Sequence, residues 1–123
     1  MSLGIKEFSD LMFDKLTELG DEVILTNPKT TSKYPCRELN TPLKSTTRTK
    51  ALYRFQISIK HWADKQRETM EMTDITDEKL LEKNLIRTNT SLCLYDTIVQ
   101  KYAVTTTYEV NYNELTNAFQ IIR

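Results

Sequence analysis

The stretch Ala51-Leu52-Tyr53-Arg54-Phe55-Gln56-Ile57-Ser58-Ile59-Lys60-His61-Trp62-Ala63-Asp64-Lys65 passes from a strand period to a helix period with almost nothing between. Tyr53, Phe55, Ile57 and Ile59 alternate with Arg54, Gln56, Ser58 and Lys60, which predicts a strand with one buried face. The segment beyond Trp62 lacks glycine and proline as far as Asn84, long enough for about five helical turns. In that helix Met72, Ile75, Thr76 and Leu80 share a broad face, and Asp74 with Asp77 could open a second helix after a break near Thr73. A strand feeding directly into a helix is a packing unit of an α+β domain.

Outward from this unit, Ile5, Phe8, Leu11, Met12, Leu16 and Leu19 recur at spacings of three and four, an amphipathic helix that Gly20 closes. A short strand, Glu22 to Thr26, follows and stops at Asn27-Pro28. Toward the C-terminus, Leu92 to Asp96 reads as a short strand after a polar connection from Asn84 to Ser91. Tyr102, Val104, Thr106, Tyr108, Val110 and Tyr112 alternate with Lys101, Thr105, Thr107, Glu109 and Asn111, and Ala118 to Ile122 returns as a hairpin. The tyrosines fit either a core face or an oligomer interface. The expected fold is one α+β domain over 1–123: a mixed or mainly antiparallel sheet of about four to five strands with two main helices on one side.

Residues 27–50 break the pattern. They are rich in Thr, Ser and Lys, carry prolines at 28, 35 and 42, and predict a long loop with at most a short extended piece at Tyr34 to Leu39. In a chain with 17 basic and 17 acidic residues, this stretch gathers Lys29, Lys33, Arg37, Lys44, Arg48 and Lys50 against Glu38 alone. Two readings stay open: a solvated loop, or a contact for a neighbouring subunit or nucleic acid.

Little else suggests chemistry. The one histidine, His61, falls on the apolar strand face and reads as a packed residue. Only two glycines exist, Gly4 and Gly20, so no phosphate-cradling loop can be written. Cys36 and Cys93 show no metal-ligand spacing and read as free, partly buried thiols of a reducing compartment. The acids from Asp64 to Glu82 lie all round their helix between basic residues, which fits a solvated surface better than a nuclease site. No catalytic, cofactor or metal residues are therefore expected. No apolar run approaches a membrane span and no signal-peptide core is present, so a cytosolic product is expected.

This order of elements resembles the tail terminator family of long-tailed bacteriophages, also called tail-completion or tail-to-head joining proteins. The resemblance rests on Tyr34-Pro35, the strand Tyr53 to Lys60 running into His61-Trp62-Ala63-Asp64-Lys65, the helix ending at Leu81-Glu82-Lys83-Asn84, and the hairpin at Tyr108-Glu109-Val110. Cys36-Arg37-Glu38-Leu39 departs from it, being more polar than the apolar strand usually found there. The resemblance implies a non-enzymatic virion protein of the tail and neck, assembled in the bacterial host cytoplasm. It implies a homo-oligomeric, hexameric ring that meets the tail tube protein and the head connector, with viral DNA passing through the lumen without sequence-specific binding. Another neck component, such as a head-closure or minor capsid protein, and a small cytosolic nucleic-acid- or protein-binding module using the 29–50 loop are the alternatives.

Overall fold

A computed structural model of the protein describes residues 3–25 and 33–122. The elements run α1 (Ile5–Thr17), β1 (Glu22–Leu25), β2 (Cys36–Leu39), β3 (Leu43–Thr46), β4 (Leu52–Ala63), α2 (Gln66–Leu81), β5 (Ile86–Thr90), β6 (Leu94–Asp96), β7 (Lys101–Asn113) and β8 (Ala118–Gln120). The class is α+β as expected, with a mostly antiparallel mixed sheet.

The sheet has eight strands where four to five were expected. At its centre β4 and β7 pair antiparallel along their whole lengths, from Leu52 opposite Asn113 to Ala63 opposite Tyr102. The outer edge of β4 is shared by β2 and β3, which act as one strand interrupted at 40–42. β1 adds to β2 in the one parallel pairing among the described residues. On the outer edge of β7, β6, β5 and β8 follow one another. The strands that sequence patterning did not separate are short and polar: Leu43-Lys44-Ser45-Thr46 and Ile86-Arg87-Thr88-Asn89-Thr90. An outer strand with one half-wet face needs no apolar alternation, so it leaves no period to detect. For the same reason the stretch 27–50 is less of a loop than its composition implies, since it carries β2 and β3.

Both helices pack on one face of the sheet. Phe55, Ile57 and Ile59 of β4 with Tyr108, Val110 and Tyr112 of β7 meet Phe8, Met12 and Leu16 of α1 and Leu80 of α2. Phe8 stacks on Phe55 with ring centroids 4.4 Å apart. Tyr108 and Tyr112 are thus core residues. Each such aromatic or aliphatic side chain contributes about 1.5–3 kcal/mol by leaving water.

α2 is unbroken from Gln66 to Leu81, which settles the open question of a break near Thr73. Its inward face is Thr69, Met72, Thr73, Thr76 and Leu80, whereas Ile75 is exposed. The threonine hydroxyls would be unsatisfied against a sheet, but Thr69 bonds back along the helix to the Lys65 carbonyl and Thr73 to that of Met70, while Thr76 Oγ1 lies 2.9 Å from the Met72 carbonyl and within reach of the groups packed on the helix. The helix ends where Asn84 adopts φ +66°. The Leu85 N–H then reaches the Leu80 carbonyl and the Asn84 N–H that of Leu81, a closure in which asparagine stands for glycine.

Candidate interaction surface

The face of the sheet away from the helices is covered by no described helix. It presents Arg54, Gln56, Ser58 and Lys60 of β4 beside Thr105, Thr107, Glu109 and Asn111 of β7, all half-buried by their neighbours rather than roofed. Cross-strand bonds knit it together: the Ser58 and Thr107 hydroxyls lie 2.9 Å apart, and Arg54 Nε donates to Asn111 Oδ1 at 3.3 Å. Near its top, Trp62, Cys36 and Ala103 form a small second core. There Trp62 Nε1 donates to Glu38 Oε1 at 3.1 Å and the Lys60 ammonium sits 4.4 Å above the indole.

The six basic residues singled out from the sequence do not form one site. Lys29 lies outside the described residues. Lys33 is exposed and 3.8 Å from Glu22. Arg37 is fully buried, contrary to its expected role as a contact residue. Lys44 donates to the Leu3 carbonyl at 2.8 Å and lies 4.4 Å from the Tyr53 ring, so it clamps the N-terminal end of α1 to β3. Arg48 and Lys50 are exposed at the turn between β3 and β4. Composition marked the charge of these residues, but the alternation of β2 decides which way Arg37 points: its pairing with His61 turns it toward the helices.

There it anchors a buried polar network that charge counting could not reveal. Arg37 Nε donates to Thr76 Oγ1 at 2.8 Å, one terminal nitrogen to Asp21 at 2.9 Å and the other to the Met72 carbonyl at 3.3 Å. His61, also fully buried, places Nδ1 3.2 Å from the Val104 carbonyl and Nε2 2.8 Å from Thr76 Oγ1. Burial, helped by the Arg37 cation, lowers its pKa to about 3, so the ring is neutral. A neutral ring satisfies both contacts if Nδ1–H donates to Val104 and Nε2 accepts the Thr76 proton. Thr76 then leaves the Met72 carbonyl to Arg37. On the other flank Tyr108 donates its hydroxyl to Asp77, which also pairs with Arg87 at 2.7 Å. Burial and that carboxylate raise the Tyr108 pKa.

Arg37 and His61 are fully buried and bonded, whereas Asp21, Asp77 and Arg87 reach the surface; His61 is a packed histidine, as its strand position predicts. Among the described residues no group of three or more His, Cys, Asp or Glu is placed to hold a metal ion. Cys36 and Cys93 are not bonded to each other. No described helix is long and apolar enough to cross a membrane. No protein-family model matches the chain, and a comparison with curated proteins gives no match.

Proposed function

We propose that the protein is a phage tail terminator, a structural ring subunit that caps the head-proximal end of the tail tube and joins it to the head connector. The observation that carries this reading is the division of the sheet. One face is sealed by α1 and α2 and consumes its charged groups internally, while the other face and both edges are left for neighbours. A closed ring needs each subunit to meet the next through two unlike patches. The exposed acids of α2 and the exposed Arg48 and Lys50 are unlike in charge. The open face also suits a lumen through which DNA slides: its cations are held by Asn111 and Trp62, and hydroxyl and amide groups dominate between them. The resemblance in element order and at the His61-Trp62-Ala63-Asp64-Lys65 junction supports the same assignment, and no described constellation argues for catalysis.

The test is electron microscopy of the purified protein alone and with tail tubes. Rings, and tubes blunted at one end, are expected; phage lacking the protein should make tails of irregular length that fail to join heads. A monomer at every concentration that leaves tubes uncapped would remove the proposal. One observation favours a second reading, a nucleic-acid contact: Arg48 and Lys50 are both exposed in the turn between β3 and β4. Charge reversal of both would then abolish DNA binding with a steep salt dependence while capping remained normal.

A further inference from the structure

We draw no further inference here: the strongest candidate, the cavity between α2 and the segment 90–94 where Arg87 and Cys93 meet Met70, Leu92 and Leu94, has its arginine paired with Asp77 and Asp74, and nothing in the structure shows what covers its apolar wall.

Discussion

The two faces of the β4–β7 ribbon are built from the same two strands and contain charged residues in both, yet they treat those residues in opposite ways. On the helix side, Arg37, His61 and Tyr108 are shut away and bonded to Thr76, to Asp77 or to backbone. On the open side, Arg54 and Lys60 rest on an amide and a ring while still touching water. The buried charge of Arg37 is therefore structural, whereas Arg54 and Lys60 on the second face remain in reach of water. The residue types alone do not distinguish them; the roof does.

The largest effect expected from breaking this contrast is at Arg37. Arg37→Ala should cost about 3–5 kcal/mol in urea unfolding, because Thr76, Asp21 and the Met72 carbonyl all lose their donor in or near the interior. A cost below 1 kcal/mol would show the network to be incidental. His61 sharpens the contrast through pH. Its folded-state pKa is depressed to about 3, so below the unfolded value near 6.5 the unfolded chain takes up a proton that the native state refuses. Stability should fall as pH drops from about 6.5 toward about 3, approaching about 1.4 kcal/mol per unit from this group. His61→Asn, though less stable at neutral pH, should lose that contribution to the slope between pH 6.5 and 5, where carboxylates add least.

A smaller loss is expected for Tyr108→Phe. It removes the bond to Asp77 but leaves that carboxylate with Arg87, so about 1–2 kcal/mol is expected from chemical denaturation. Smallest of all, Lys60→Ala on the open face should change stability by no more than about 0.5–1 kcal/mol, the scale of a half-exposed cation–ring contact. If Lys60→Ala rivals Arg37→Ala, the distinction between the faces fails.

Much of the fold was legible in the sequence where the period was strong. The alternation from Tyr53 to Lys60 and from Tyr102 to Tyr112 placed β4 and β7 and the face each buries, and the spacing from Ile5 to Leu16 placed α1. Three things were not legible. β3 and β5 lie at sheet edges, where polar residues are tolerated on both faces. The inner side of α2 is lined with threonines, whose satisfied hydroxyls let them stand where apolar residues would be expected, so Ile75 misled. The basic run contains residues of three fates: Arg37 inside, Lys44 as a clamp, Arg48 and Lys50 outside. The signal that could have separated Arg37 is its place in the Cys36-Arg37-Glu38-Leu39 strand, two residues from Leu39 and so on the same face. Leu92, Leu94 and Tyr95, exposed here, were read only as part of a short strand, because an apolar residue in a sequence does not announce whether anything covers it.

The outermost strands described here, β1, β3, β5, β6 and β8, are each three to five residues long; β3, β5, β6 and β8 lie along parts of the two long central strands and β1 along the short β2, none as a full-length neighbour of β4 or β7. No described border of the sheet thus offers a continuous rail of backbone donors and acceptors on which another copy could extend the ladder indefinitely. Growth by strand addition is frustrated, so the contacts between copies that the proposed ring requires would be made by side chains and shape. Such contacts carry a fixed angle from one subunit to the next, and a fixed angle is what permits an assembly to count its members and stop.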